Sequence, residues 1–201
     1  MNFDALVFFL SKYGEYYPYL LPIGLLGAWR WSVWGIKKFV GSYYRPKPIG
    51  YKSTVSVITP VYNEATRTFT QAINSWEANK PNEIIAVIDY TDKANIAIFK
   101  KFARENHSAK LIITKIPGKR DALVKGIKES KSEILALVDS DTIWEAKTLA
   151  FALAPFKDKS IGGVTTKQTV ENPRTLAEIL FSIRLDQRYW DDIPFLAKGE
   201  D

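Results

Sequence analysis

The chain has no cysteine and one histidine among its 201 residues. Without thiols it forms neither a disulfide framework nor a zinc–thiolate site. His107 lies in a polar run that predicts a solvated helix end, so a histidine-dependent mechanism such as a serine triad is not expected. The absence of Gly-x-x-x-x-Gly-Lys-Ser/Thr argues against an ATPase or GTPase. At the first predicted strand, Thr59-Pro60-Val61 replaces the Gly-x-Gly of a dinucleotide dehydrogenase.

Beyond residue 50 the chain has little excess charge of either sign. The net charge is +6, and the first 50 residues alone carry six Lys and Arg against two acidic residues. A nucleic-acid-binding domain concentrates basic residues on its folded surface. We therefore expect no nucleic-acid partner, and we expect the basic excess to meet anionic membrane lipid.

The N-terminal segment is apolar and aromatic. The stretch Tyr16–Ile36 has Arg30 as its single charged residue and reaches the length of about 20 residues that a membrane helix needs. Aromatic residues at its two ends resemble interfacial belts. The pattern predicts a membrane-spanning helix, with a helix lying in the membrane interface as the alternative. A secretory signal peptide fits less well, because no basic region precedes the apolar core.

Basic residues follow this segment, and by the positive-inside rule they place the remainder of the chain in the cytoplasm. The predicted organisation is a membrane-anchored protein with one or more spans. Residues 1–50 form the anchor and a basic linker, and residues 51–201 form a catalytic domain. The basic residues are Lys37, Lys38, Arg45 and Lys47.

Apolar runs alternate with helical patterns after residue 50. One helix is predicted over Thr66–Asn79. A second helix is predicted to follow the segment Pro117–Asp121 and to end at Glu129. Strands that alternate with helices of ten to fifteen residues indicate βαβ units and a parallel sheet. The fold class is therefore α/β, Rossmann-like and mostly parallel. The predicted strands start near Thr54, Glu83, Lys110 and Ile134.

The last of these strands ends in two carboxylates. Asp139 and Asp141 flank a serine, directly after the apolar run that begins at Ile134. Ligands of parallel sheets bind outside the carboxyl ends of the strands. Two carboxylates at this spacing can reach one divalent cation that prefers oxygen ligands. The alternative is that Asp-Ser-Asp-Thr caps a helix starting near Trp144.

The order of these motifs resembles glycosyltransferase family 2, whose members have the GT-A fold. The Gly-Lys-Arg element and the apolar leader are most similar to the membrane-embedded hyaluronan, chitin and cellulose synthases. The resemblance covers roughly residues 52–190. The motifs are Ile58-Thr-Pro-Val-Tyr-Asn-Glu64, Asp89, Gly118-Lys119-Arg120 and Asp139-Ser-Asp141.

The resemblance implies a nucleotide-sugar donor, most often a UDP-sugar. Its diphosphate would face a Mg²⁺ or Mn²⁺ ion bound to Asp141. Asp139 would contact both this ion and the nucleotide sugar. Lys119 and Arg120 would add positive charge that stabilises the leaving group. The base and ribose would lie near Thr59, Tyr62, Glu64 and Asp89.

On the acceptor side the resemblance implies inverting transfer to a growing polysaccharide, another glycan or a lipid-linked acceptor. A strand is predicted over Gly162–Gln168. The resemblance implies that Thr166, Lys167 and Gln168 contact the substrate, and the alternative is that they have a purely structural role. A helix is predicted over Leu176–Trp190. The family's catalytic base has no clear counterpart, since Asp201 arrives too early, and the acceptor half of the domain is expected to be missing. The alternatives are a nucleotidyltransferase, which would prefer a triphosphate, and a non-catalytic membrane partner.

Overall fold

The computed structural model describes residues 7, 11, 12, 17–45 and 47–197. The contacts group the chain in two compact units. One unit is Lys47–Thr165, and the other combines residues 1–46 and 166–201 as far as they are described. The sequence predicts a single domain over residues 51–201, whereas these contacts group the residues after Thr165 with the N-terminal helix.

The N-terminal apolar segment forms the helix α1 (Tyr17–Gly41). None of the helices in the described residues is long and apolar enough to cross a membrane. The predicted membrane span and the membrane localisation derived from it are therefore wrong. The physical reason is composition: two prolines, Arg30 and many amphipathic tyrosines and tryptophans lower the apolar character of the stretch.

The unit Lys47–Thr165 is a parallel α/β structure, as predicted. Its four strands have the spatial order β3-β2-β1-β4, and every neighbouring pair is parallel. A 3₁₀ turn, Ala154–Lys157, follows the last helix of the unit. In chain order the elements are β1 (Val55–Val61), α2 (Thr66–Ala78), β2 (Glu83–Asp89), α3 (Lys93–Glu105), β3 (Ala109–Thr114), α4 (Lys119–Glu129), β4 (Ile134–Leu137) and α5 (Thr148–Leu153).

Both faces of the sheet carry apolar side chains, which explains why β1 and β2 are almost continuously hydrophobic. On one face, α2 and α3 bury Phe69, Trp76 and Phe99 against the strands. On the other face, α4 packs so closely that a Cβ added at Gly126 would overlap the Cγ2 atom of Ile58. Phe151 of α5 is half exposed.

The order in which strands are added to the sheet reverses at β1, although all strands remain parallel. From β1 it proceeds to β2 and β3 on one side, and it then returns to place β4 on the other side of β1. The register pairs Ile58 of β1 with both Ile85 and Leu137. Such a switch point leaves a crevice at the carboxyl ends of the central strands, where open α/β sheets bind their ligands.

The other unit contains α1 and α6 (Leu176–Ala197), which contact each other. The Lys38 ammonium lies 4.8 Å from the ring centroid of Trp34 and 5.5 Å from that of Trp190. The helix predicted at Leu176 is confirmed and continues beyond Trp190. The strand predicted over Gly162–Gln168 is wrong, because these residues have no regular structure and are exposed, so little burial offsets the entropy of ordering them.

Candidate functional site

A cavity of about 740 Å³ lies at the carboxyl ends of the strands of the unit Lys47–Thr165. Its walls are the loop after β1, the end of β2, the segment between β3 and α4, and the turn after β4. The volume falls within the range of about 300–1,000 Å³ that is typical of small-molecule sites. Six of the residues predicted from sequence line it: Tyr62, Glu64, Asp89, Lys119, Asp139 and Asp141.

Other predicted site residues lie elsewhere. Thr59 is fully buried within β1, and its hydroxyl has no hydrogen-bond partner among the described residues. Arg120 is exposed on α4 and does not line the cavity. The exposed residues Thr166, Lys167 and Gln168 belong to the other unit, where Lys167 pairs with Asp186 at 3.0 Å. Asp201 lies outside the described residues.

The two aspartates after β4 flank a turn that the Thr142 N–H closes by donating to the Asp139 carbonyl at 3.1 Å. Ser140 is buried between them, and both aspartates are exposed. The Ser140 hydroxyl donates to the Glu64 carboxylate at 3.0 Å. The other oxygen of Glu64 accepts a hydrogen bond from the Ala65 N–H. Glu64 thereby joins the loop after β1 to the turn that carries the aspartates.

The segment after this turn is held by side chains of α2. The Trp76 indole N–H donates to the Thr142 carbonyl at 2.8 Å, and the Trp144 N–H donates to the Ser75 hydroxyl at 2.9 Å. The next helix, α5, begins only at Thr148, and its N-cap position has no side-chain hydrogen bond. The alternative in which the aspartates cap a helix is therefore wrong.

The loop after β1 is fixed by the start of α3. Asn63 has a φ of 52°, a left-handed conformation that asparagine tolerates. Its N–H donates to the Asp92 carboxylate at 2.9 Å, and the Asn95 amide donates to the Glu64 carbonyl at 2.9 Å. Sequence reasoning missed Asp92 and Asn95. The capping preference of aspartate at a helix start was the available signal, because Asp92 also accepts from the Asn95 N–H.

Asp89 is a buried carboxylate at the end of β2, in the cavity wall. Hydrogen bonds from the Thr91 hydroxyl, at 2.5 Å, and from the Thr91 N–H, at 2.9 Å, lower the pKa of Asp89 below its ordinary value. The carboxylate is therefore ionised at neutral pH and presents acceptor oxygens to the cavity.

Lys119 is the first residue of α4 and follows Gly118, whose φ of 121° suits glycine. Its ammonium nitrogen lies 2.5 Å from Asp139 Oδ1. The start of α4 contributes unpaired backbone N–H groups and the positive end of the helix dipole to the same side of the cavity. This wall is therefore suited to a negatively charged group.

The carboxylates also fit a hard divalent cation. The described part of the chain has no cluster of three or more His, Cys, Asp or Glu residues around a common point. Mg²⁺ is often held by only one or two carboxylates, with water and substrate phosphates supplying the other oxygen ligands. Asp139 and Asp141 can provide such a partial site. The cation would then depend on a ligand that brings oxygens of its own.

Known proteins with similar sequences are glycosyltransferases. An NDP-glycosyltransferase ltbB from Aspergillus luteorubrus is 32% identical over 165 residues, which is 76% of this chain and 39% of the relative. A type 2 glycosyltransferase from Zymoseptoria tritici is 30% identical over 157 residues, covering 74% of this chain and 33% of the relative. The chain thus spans well under half the length of these curated relatives.

A similar fold occurs in the mannosyltransferase PcManGT from Pyrobaculum calidifontis, solved in complex with GDP-Man and Mn²⁺. The TM-score is 0.55 at 24% identity, over 88% of this chain and 49% of the mannosyltransferase. This likeness supports the GT-A type of α/β fold. The family described as Glycosyl transferase family 2 matches residues 56–199, a range that includes all the residues lining the cavity. The chain therefore belongs to glycosyltransferase family 2.

Proposed function

We propose that this chain binds a nucleoside diphosphate sugar, with UDP as the nucleotide, and presents the sugar for transfer to a hydroxyl group of a growing polysaccharide or another glycan. The observation that carries the proposal is the cavity at the switch point of the sheet. It gathers a carboxylate pair, a lysine and a buried aspartate in a domain of glycosyltransferase family 2. The GDP-Man and Mn²⁺ bound by the Pyrobaculum mannosyltransferase support a nucleotide sugar and a divalent cation here.

The nucleoside would lie between the loop after β1 and the end of β2. Tyr62 is exposed in the cavity wall and offers an aromatic face, and the ionised Asp89 offers acceptors for N–H or hydroxyl groups. Both carboxylate oxygens of Glu64 already accept hydrogen bonds, so its main contribution is to hold the loop. The buried Thr59 shapes the strand below rather than contacting the ligand.

The diphosphate would lie between Lys119 and the aspartates. Asp141, with Asp139 in support, would hold Mg²⁺ or Mn²⁺, which when bound supplies charge stabilisation for the leaving nucleoside diphosphate. Lys119 contributes a fixed positive charge and hydrogen-bond donors to the same phosphate oxygens. Arg120, exposed one residue later, adds to the positive field. Charge that develops on the leaving group as the glycosidic bond breaks is stabilised by these groups.

Transfer with inversion would follow by direct attack of the acceptor hydroxyl on the anomeric carbon. The chain's share of this step is to fix the donor, because positioning alone removes much of the entropic barrier. The hydroxyl also requires a general base, which none of the residues assigned to the donor site provides.

Calorimetric titration with UDP, in the presence and absence of Mn²⁺, tests the donor site, with GDP and ADP as competitors. We expect Mn²⁺-dependent nucleotide binding that Asp141→Asn weakens by roughly tenfold or more, since even residues that only support metal ligands cost 10–100-fold in metal affinity. Asp121→Asn is the matched control, because Asp121 is an exposed carboxylate on α4 outside the cavity wall. Absence of nucleotide binding by the folded protein, or equal affinity in Asp141→Asn, would refute the proposal.

A further inference from the structure

In the structure the proposed cation site already holds a positive charge. Lys119 Nζ lies 2.5 Å from Asp139 Oδ1, so the ammonium neutralises one of the two carboxylates assigned to the cation. A divalent cation that binds the same oxygen would be repelled by the ammonium at this distance. Lys119 and the cation therefore compete for Asp139 Oδ1 in this arrangement.

We propose that Lys119 is an internal counter-ion which couples cation binding to nucleotide binding. In the free protein it pairs with Asp139 and weakens the cation site. When the nucleotide enters, its diphosphate attracts the ammonium away from Asp139 and releases the carboxylate to the cation. This inference rests on the proposed function, because it needs a nucleoside diphosphate in the cavity.

The side chains have the freedom that this exchange requires. The Lys119 and Asp139 side chains are 61% and 57% exposed, and an ion pair this exposed contributes little to stability. The lysine stem is flexible, whereas its backbone is anchored at the start of α4. Lys119 also lines the cavity, so its ammonium can turn towards a phosphate without movement of the helix.

The charges explain why the coupling should be positive. With Lys119 on Asp139, the turn presents about one net negative charge to an approaching cation, and after release it presents two. The diphosphate supplies the oxygen ligands that two carboxylates lack. By thermodynamic linkage, the factor by which nucleotide raises cation affinity equals the factor by which the cation raises nucleotide affinity. Removing Lys119 should therefore raise cation affinity in the free protein and reduce this shared factor.

Lys115 provides a matched control. It lines the same cavity and is exposed, but its ammonium forms no ion pair with either aspartate in the described residues. Lys115→Met removes the same charge from the same cavity as Lys119→Met. The two variants therefore separate the specific contact with Asp139 from a general change in the electrostatic field.

The test measures free Mn²⁺ by electron paramagnetic resonance during titration of the full chain, first without nucleotide and then with saturating UDP. We expect Lys119→Met to raise nucleotide-free Mn²⁺ affinity by up to roughly fivefold, the factor that an exposed ion pair can contribute. The ratio of Mn²⁺ affinities with and without UDP should fall in this variant. Lys115→Met should leave nucleotide-free Mn²⁺ affinity unchanged, and Lys119→Arg should keep the wild-type ratio.

If the wild-type protein binds UDP with Mn²⁺, the proposed function stands, and two results would still overturn the inference. The first is that Lys119→Met shows no gain in nucleotide-free Mn²⁺ affinity. The second is that Lys115→Met shows the same gain as Lys119→Met. Wild-type protein that binds neither Mn²⁺ nor UDP would overturn both the inference and the proposed function. Circular dichroism of each variant verifies that the fold is intact.

Discussion

Replacing Trp76 by phenylalanine tests how the core of the fold holds the acidic turn. The Trp76 side chain is fully buried on α2, and its indole N–H donates to the Thr142 carbonyl, one residue after Asp141. Phenylalanine keeps an aromatic ring in the core and removes this donor. We expect the segment that follows the aspartates to lose one of its attachments to α2.

The cost can be estimated from two contributions. Thr142 is half-buried, so a carbonyl left without its donor costs about 1–2 kcal/mol. Loss of part of the indole leaves a cavity that costs about 1–2 kcal/mol more, a fraction of the ~3–5 kcal/mol for removing a whole buried aromatic ring. The free energy of unfolding should therefore fall by about 2–4 kcal/mol in Trp76→Phe.

Urea denaturation measures this loss, and amide hydrogen exchange shows where it acts. Ile73→Ala is the control, since Ile73 lies one turn earlier in the same buried cluster and its removal should cost about 2–5 kcal/mol without touching the turn. Amides of residues 142–145 should exchange faster in Trp76→Phe than in Ile73→Ala. Equal exchange rates in the two variants would show that the indole hydrogen bond does not hold the segment.

Two further variants test the packing of α4 and the charge of the cavity wall. Gly126→Ala should destabilise the protein by about 1–2 kcal/mol in urea denaturation, because overpacking of about 1–3 kcal/mol outweighs the helix propensity gained. In an Ile58→Ala background the loss should shrink, and a loss of the same size would contradict the close approach of helix and strand. Thr91→Val should raise the pKa of Asp89 towards the ordinary carboxyl value, measured by carbon-13 NMR of the carboxylate. Because the folded-state pKa of Asp89 is lowered, its stabilising effect is present above the unfolded-state pKa and is lost as pH falls through the folded-state value. An unchanged Asp89 pKa, or an unchanged loss of stability at acid pH in Thr91→Val, would contradict this.

The strands of the α/β unit and its helices α2 and α4 were predictable because their signals are local. Continuous apolar runs at β1 and β2 require burial on both faces, and helical spacing between them implies parallel connections. Residues at the ends of parallel strands lie at one edge of the sheet, so Glu64, Asp89 and Asp139 were expected to meet. The structure brings them to one cavity.

Two predictions from local patterns were wrong, one for lack of a tertiary contact and one because of composition. Gly162–Gln168 has strand-like composition but forms no strand, because no neighbouring strand pairs with it among the described residues. The N-terminal stretch has the length of a membrane helix, yet its prolines, arginine and amphipathic aromatics leave it insufficiently apolar. Sufficient length and flanking aromatic and basic residues therefore do not establish a membrane span.

The sequence by itself determined the alternation of strands and helices, the parallel sheet and the set of charged residues at the strand ends, because these depend on periodicity and chain order. The tertiary structure alone decided which of those residues share a cavity and which residues form hydrogen bonds with each other across the fold. Glu64 meets Ser140 across 76 positions of the chain, and Trp76 meets Thr142 across 66. Such contacts arise from the packing of β1, β4 and α2, and no local pattern in the sequence encodes their partners.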